Sequence, residues 1–291
     1  MNQSDTDIVD ASGVAVKERF FNFLRNYSVD DDVEGTIDVP MGVPVHMSMS
    51  MNAGTLYQDQ IMYMIKNDKT TVFVNYDHMN DFDPELAEAV LIEFYRFEPY
   101  LRKAVQEYVG LEHQEYVHDI DKGTREFFVS IYNLPRVECI RNMHTDKIGR
   151  LVAISGTVTR SSEVRPELLF GVFTCRKCGS LHTDVEQQCQ FTPPPVCRNS
   201  QCSATDFQLM IDQSVFVDWQ RLRVQENADE IPAGSMPRCV DVICRNEIVE
   251  GAKAGDKIVF TGTVLVVPDT SGLARVGEST VSGRGSAGRG E

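Results

Sequence analysis

Two pairs of cysteines are the residues of this sequence best placed to do chemistry. In the stretch FTCRKCGSLHTDVEQQCQFTPPPVCRNSQC, Cys175 and Cys178 are separated by two residues, eighteen residues follow, and Cys197 and Cys202 are separated by four. A two-residue gap lets both thiolates of a tight turn face one cation about 2.3 Å away, and a second such turn completes a tetrahedral S4 site for Zn²⁺. Gly179 follows the first pair where the backbone must fold over the sulfurs, and Asn199 sits inside the second, where a positive φ is tolerated. The spacer is expected to run out and back as a short β-hairpin, with Pro193, Pro194 and Pro195 stiffening its return. The alternatives are two disulfides or four unrelated core cysteines. A closed four-cysteine site leaves no open coordination position, so its metal would be structural and would stand in for a core that so short an insert cannot build. No nucleophile, carboxylate pair or open metal site can be assembled elsewhere, and no catalytic residue is assigned.

A second set of residues suits phosphate. Arg160 and Arg165 bracket the end of a β-like segment in TRSSEVR, Arg223 ends another in QRLRVQE, and Arg238 opens the next. An arginine at a strand end reaches past the sheet rim, and its planar fork takes two phosphate oxygens. The alternative is surface ion pairing to acids such as Glu163 or Glu226, which is worth little. Nothing in the sequence fixes the direction of Lys147 or Arg221. Trp219 could stack a base, but a lone tryptophan is expected in the core.

Composition limits the partners. The net charge of -15 argues against nucleic acid at first, but it is uneven: residues 1–145 hold 12 Lys+Arg against 25 Asp+Glu, net -13, and residues 146–291 hold 16 against 18, net -2. A nearly neutral second half with arginines at chosen places can still bind phosphate. No basic-then-apolar start and no long apolar run is present, so neither a secretory signal nor a membrane partner is expected, and a reducing compartment follows. The other cysteines, Cys139, Cys189, Cys239 and Cys244, are read as buried small hydrophobes.

The elements that must position these residues fall into two kinds. Val16, Phe20, Phe23, Leu24 and Tyr27 follow a helical period from Val14. The Asp30–Glu34 charge run reads as a solvated loop, and His46 with Met47, Met49 and Met51 as a linker. Asn52 is expected to cap a helix carrying Leu56, Tyr57, Ile61, Met64 and Ile65, and residues 70–75 to form a short strand. Asp83 as N-cap and Pro84 in the first turn start a helix through Leu86, Val90, Phe94 and Phe97, which Pro99 should break or kink before the period resumes to Gly110. From Arg125 the period becomes two, in REFFVSIYNL, GRLVAISGTVTR, LLFGVFTC, QSVFVDWQRLRVQE, RCVDVICR and DKIVFTGTVLVV. Short antiparallel strands of this kind suit a small closed barrel of the oligonucleotide-binding (OB) type, with Gly156 and Gly262 where it must coil. The fold class is therefore α+β and multidomain: a helical bundle at 14–115, an OB-type barrel at 120–174 and 208–268, a four-cysteine zinc ribbon inserted at 175–207, and a disordered Gly/Ser/Arg tail at 269–291.

The segments GRLVAISGTVTRSSEVRPELLFGVFTCRKC, FVDWQRLRVQENADEIPAGSMPRCVDV and AGDKIVFTGTVLVVPD closely resemble the N-terminal region of the minichromosome maintenance (MCM) replicative helicases. The likeness is specific from about Lys147 to Asp269 and weaker from Val14 to Leu111. It implies a helical A, a zinc-ribbon B and an OB-type C subdomain, six subunits in a ring around single-stranded or duplex DNA, other MCM subunits as partners in a hetero-hexamer, and a nuclear location. It also implies that basic residues at the positions of Arg160, Arg165, Arg223 and Arg238 grip single-stranded DNA on the barrel's inner face. Gln225, Glu226, Pro232 and Pro237 match a loop that in the family carries signals towards the motor tier. The family binds ATP in a further module, and no G-x-x-x-x-G-K-[ST] phosphate loop occurs in these 291 residues, so this chain is not expected to hydrolyse ATP by that route. The Gly/Ser/Arg ending resembles a truncated product. The alternatives from other classes are a free-standing zinc-ribbon OB protein that binds single-stranded nucleic acid without a motor, and a zinc ribbon that only docks protein.

Overall fold

Asp10 caps the first helix, α1 (Ala11–Asn26), by accepting a hydrogen bond from the Ser12 amide at 3.1 Å. The computed structural model describes residues 10–27, 56–119, 123–187, 191–199 and 201–267. The expectations for Asp30–Glu34, His46, the nearby methionines, Asn52, Cys189 and the Gly/Ser/Arg tail lie outside them. Val16, Phe20, Phe23 and Leu24 recur at helical spacing and are all buried, so α1 presents one apolar face to the bundle. Helix α2 (Leu56–Lys66) buries Tyr57, Ile61 and Met64 by the same logic.

Strand β1 (Thr71–Asn75) is buried at every position, and α3 (Tyr76–Phe82) follows it directly, with the Asn75 side chain as its cap. Asp83 does cap α4 (Pro84–Ile92), accepting from the Leu86 amide at 3.3 Å with Pro84 in the first turn, where its missing amide is harmless. The expected break at Pro99 does not occur. The chain leaves helical geometry at Glu93, and α5 (Phe94–Glu112) runs through Pro99 near its start. The backbone turns at Glu93 because the second residue of α5 is held from outside: the Tyr95 amide donates to the carbonyl of Gly149. Arg96, the next residue, grips Asp10 at 2.8 and 2.9 Å and so ties α5 to the cap of α1. That ion pair holds the Asp10 carboxyl below its ordinary range.

After α6 (Gln114–Val117) and the small ladder of β2 (His118–Asp119) with β3 (Gly123–Thr124), strand β4 (Phe128–Tyr132) forms where REFFVSIYNL predicts one. It does not join the strands that follow. It pairs in parallel with β1, Thr71 opposite Phe128 through Asn75 opposite Tyr132, and Phe127 and Ile131 enter the helical core. This explains why β1 is buried on both faces rather than alternating: a parallel pair sandwiched among helices offers no wet side.

The larger sheet is built from β5 (Val137–Cys139), β6 (Leu151–Ser161), β7 (Arg165–Cys175), β8 (Leu181–Glu186), β9 (Phe207–Leu209), β10 (Val215–Gln225), β11 (Cys239–Arg245) and β12 (Lys257–Thr263). It is mixed rather than wholly antiparallel, because β5 runs parallel to β6. Strand β10 is its axis. Along one edge β10 pairs first with β7 and then with β6, and along the other with β11. Among the described residues no strand pair closes the sheet into a barrel, since β11 and β12 do not bond to each other. Ile140, Val158, Leu222, Val224 and Cys244 form the core beneath one face. Gly156 is needed there, because a Cβ at that position would lie 2.4 Å from Val224 and 2.9 Å from the Gln225 carbonyl. Gly262 meets no such neighbour, so the coiling argument holds for the first glycine only.

The two regions are also joined by a side chain. Glu247, just after β11, accepts from the amides of Thr70 and Thr71 at 2.6 and 3.3 Å and so anchors the start of β1. Among the described residues no helix is long and apolar enough to cross a membrane.

Candidate metal centre and nucleic-acid face

Strand β7 delivers Cys175 at its end, and the next turn is the first knuckle. Gly179 sits at φ 69°, its amide donates to the Cys175 carbonyl at 2.9 Å, and the Cys175 amide donates to the Ser180 carbonyl at 2.9 Å. Strand β8 then returns along β7, so the hairpin is β7–β8 through the knuckle rather than a hairpin inside the spacer. The spacer cannot supply both strands because β9 takes the remaining place beside Cys175, with Phe207 opposite it. The second knuckle is fixed by Cys197 N–H to the Ala204 carbonyl at 3.0 Å and Cys202 N–H to the Asn199 carbonyl at 2.9 Å. Asn199 does not use the positive φ that its type tolerates; its Oδ1 accepts from the Gln201 amide at 3.1 Å, closing the turn by side chain instead of by backbone inversion.

The four Sγ atoms lie within 4.8 Å of one another, with Cys175–Cys202 at 3.8 Å and Cys178–Cys197 at 3.6 Å. Those separations are close to the edge of a tetrahedron with a metal about 2.3 Å from each sulfur, roughly 3.8 Å. They are far beyond a disulfide bond of about 2.05 Å, and all four thiols are free. The cluster is therefore capable of coordinating a metal ion.

Two residues that the cysteine spacing does not reveal complete it. Ser180 Oγ is 2.9 Å from Cys178 Sγ and 3.2 Å from Cys197 Sγ, and His182 Nε2 is 3.4 Å from Cys197 Sγ. The Ser180 hydroxyl and amide draw the Cys178 thiol down to about 6. Cys202 stands at about 11: the Ala204 amide favours its thiolate, but burial and the Cys178 and Cys175 thiols outweigh that. His182 is almost wholly buried, packs edge-on to Phe207 at 5.2 Å, and leaves Nδ1 without a partner. With Nε2 facing the Cys197 sulfur, the ring can donate Nε2–H to it. The sequence signal was its place two residues after Ser180, as the second residue of β8.

Of the other cysteines among the described residues, Cys244 is buried as expected, Cys139 is half-buried and Cys239 exposed. Cys239 lies on the outer side of β11, opposite Gln225, where alternation turns it away from the core.

The arginines gather unequally. Arg223 stands opposite Arg160 across β10 and β6, and both are exposed on the sheet face turned away from the core, not inward. Arg221 shares that face, and Asp241 opposite Arg223 pairs with Arg221 and, at 3.9 Å, with Arg223. Arg160 makes no ion pair among the described residues. Arg165 stands opposite Trp219 and reaches Glu163 only at 4.0 Å, both side chains largely exposed, which contributes little. Arg238 is apart from these. It lies at the far end of the β10–β11 hairpin, where its amide donates to Glu226 at 2.9 Å and its guanidinium reaches the Arg141 carbonyl at 3.4 Å.

Glu226 is a hub. Arg141 meets it with two nitrogens at 3.0 and 2.9 Å, and that guanidinium, with the Arg238 amide, holds its carboxyl below the usual range. Gln225 ends β10 beside it, whereas Pro232 and Pro237 lie in the exposed part of the loop. Lys147 is committed to Glu138 at 3.0 Å and so leaves the arginine face. Trp219 is not in the core: it is half-buried and belongs to none of the apolar clusters.

Comparison with known proteins agrees with this division. Residues 17–133 match the MCM N-terminal domain and residues 139–268 the MCM OB domain, so the boundary falls between β4 and β5. The DNA replication licensing factor MCM6 of Arabidopsis thaliana is 40% identical over 273 residues, 93% of this chain and 30% of that protein. The mcm6 protein of Schizosaccharomyces pombe is 40% identical over 279 residues, and Mcm6 of Drosophila melanogaster 34% over 275, covering 91% and 93% of this chain and 30% of each relative. The chain thus spans about 30% of the length of the curated relatives it matches. With two consecutive models of one family leaving only residues 134–138 between them, this chain belongs to the MCM family through its N-terminal and OB domains.

Proposed function

We propose that this chain is the DNA-gripping, ring-forming N-terminal region of an MCM replicative helicase subunit, of the sixth subunit class that its relatives carry in their names. The reading places it in the nucleus, in a hetero-hexamer with other MCM subunits, acting in initiation and unwinding while ATP is bound by a separate motor module. The observation that carries it is the cationic pair Arg160 and Arg223, held side by side on the outer face of an OB-family sheet. Two like charges opposite each other cost stability in a sheet, and a phosphate backbone removes that cost. Arg165 extends the track along the edge of β10, and Arg238 marks its other end. In this reading the sheet completes an OB-type barrel, residues 175–207 form a zinc ribbon, and the ion is structural Zn²⁺ on Cys175, Cys178, Cys197 and Cys202. The zinc supplies rigidity to the ribbon and takes no chemical step. Gln225, Glu226, Pro232 and Pro237 form the loop that communicates between subdomains, its root fixed by Arg141.

The test is binding of a single-stranded oligonucleotide across a salt series. Arg160→Ala with Arg223→Ala should lower affinity and flatten the slope of log K against log salt by about 1.4, for two fewer single-strand phosphate contacts. An unchanged affinity and slope in the double variant would place the nucleic-acid site elsewhere.

A further inference from the structure

We propose that Trp219 is a base-stacking platform, taking the face of one unpaired nucleobase while the arginines beside it hold the neighbouring phosphates. The inference rests on reading the arginine face as a nucleic-acid surface, and adds that this surface reads bases as well as charge.

The register surrounds the indole with cations. Trp219 faces Arg165 across β7 and Arg245 across β11, and Arg221 and Arg223 follow it along the same side of β10. Residues directly opposite in an antiparallel pair share a face and lie about 5 Å apart. Arg245 is already committed, since it meets Glu167 with two nitrogens at 2.6 and 3.0 Å. Glu167 stands opposite Val217, so this bridge crosses the sheet face beside the indole and braces one side of it. Arg165 has only its long contact to Glu163 and is available to an anion.

The ring itself is unoccupied by the partners that usually cover an indole. Among the described residues no aromatic ring packs on Trp219 and no cation lies over it, although both kinds of contact occur elsewhere in the molecule, as for Tyr116 with Phe127 and Arg125. Trp219 is half-buried, so part of its surface stays open to solvent. A flat, rigid, sequence-tolerant surface between arginines suits an unpaired base, whose π-face stacks while its phosphates meet guanidinium groups. In a duplex the base faces are covered by their neighbours, so the platform selects single strands.

The chain contains a single tryptophan, so its fluorescence reports on this residue alone. The full chain is titrated with a single-stranded homothymidine oligonucleotide and with an abasic strand of the same length. The expected result is saturable quenching by the first and little change in emission with the second, which should also bind more weakly. Trp219→Ala should lose on the order of ten-fold in affinity for the homothymidine strand. The same variant should bind the abasic strand as the wild type does, and Trp219→Phe should stay within about three-fold throughout. Circular dichroism of both variants shows whether they are folded; if Trp219→Ala is not, the quenching contrast and Trp219→Phe still decide. Salt-dependent binding without quenching, or equal affinity for the two strands, overturns the platform and leaves the arginine face standing. Absence of any single-strand binding overturns both.

Discussion

In the helical region the buried cluster runs from Val16 to Leu151 and includes Phe20, Phe23, Leu24, Tyr57, Ile61 and Leu101, whereas in the ribbon it is Cys175, Cys197 and Ala204. Each large side chain of the first contributes about 1.5–3 kcal/mol by leaving water. The second buries too little apolar surface to order two knuckles and the chain between them. With the ion proposed above on the four thiols, one region is held by many small terms and the other by one large term. Losing any single contact should thin the first and abolish the second.

The largest effect should therefore follow from the metal. Chelation, or Cys175→Ser, removes a contribution on the order of 10 kcal/mol and should unfold the ribbon while the helices persist. Hydrogen exchange would show protection lost at β8 and β9 and kept in α1 and α5. Equal protection with and without chelator would mean that the ribbon needs no metal, and would erase the contrast.

In the helical region the matching experiment is Phe23→Ala. Phe23 is fully buried and meets Phe20, Tyr27, Tyr57 and Phe82 with ring centroids 4.9 to 5.9 Å away, so its loss should cost about 3–5 kcal/mol. Urea unfolding followed in the helical signal gives the number. A loss below about 1 kcal/mol would show that this core is not the sum of its rings.

The smallest effect sharpens the comparison within the ribbon. If His182 donates to Cys197 sulfur, His182→Phe keeps an aromatic ring against Phe207 and deletes that hydrogen bond. Supporting groups of this kind change metal affinity about 10- to 100-fold, so competition with a chelator should extract the ion correspondingly more readily. An unchanged affinity would make His182 a packing residue only.

How much of this was readable in the sequence depends on the range of the cause. The cysteine pairs, the turn at Gly179, and the Asp83 cap with Pro84 are set by neighbours a few residues away, and each forms as read. The β-rich segments also become strands, because alternation is a local signal. Their partners are not local. Nothing within REFFVSIYNL says that β4 will lie beside β1, some fifty residues earlier, because that pairing is chosen by the helices that cover both. Pro99 misled because a proline near a helix start costs few hydrogen bonds, while the turn at Glu93 is imposed by Gly149 from another region. Trp219 was placed in the core on residue type alone. Its half-buried state belongs to the first half of β10, where Phe216 and Asp218 are exposed and Val215, Val217 and Trp219 half-buried; the pattern reverses from Gln220, with Leu222 and Val224 buried and Arg221 and Arg223 exposed. The register of β10 against β6 joins Arg160 to Arg223, a pairing that the sequence could suggest only through resemblance.

Glu247 has a mechanical consequence. Its carboxylate, half-buried between the two regions, accepts from the amides of Thr70 and Thr71 at the start of β1, and its second oxygen lies 3.9 Å from Lys69 Nζ. Glu247 shares the joint between the helices and the sheet with the Tyr95–Gly149 backbone hydrogen bond and with Leu151 of β6, which is seated in the helical core, so the joint is a weld at several points rather than a latch with one bolt. Torque applied to the helical region would be shared among these points, and because Leu151 belongs to both regions the helical region could not pivot without disturbing its own core.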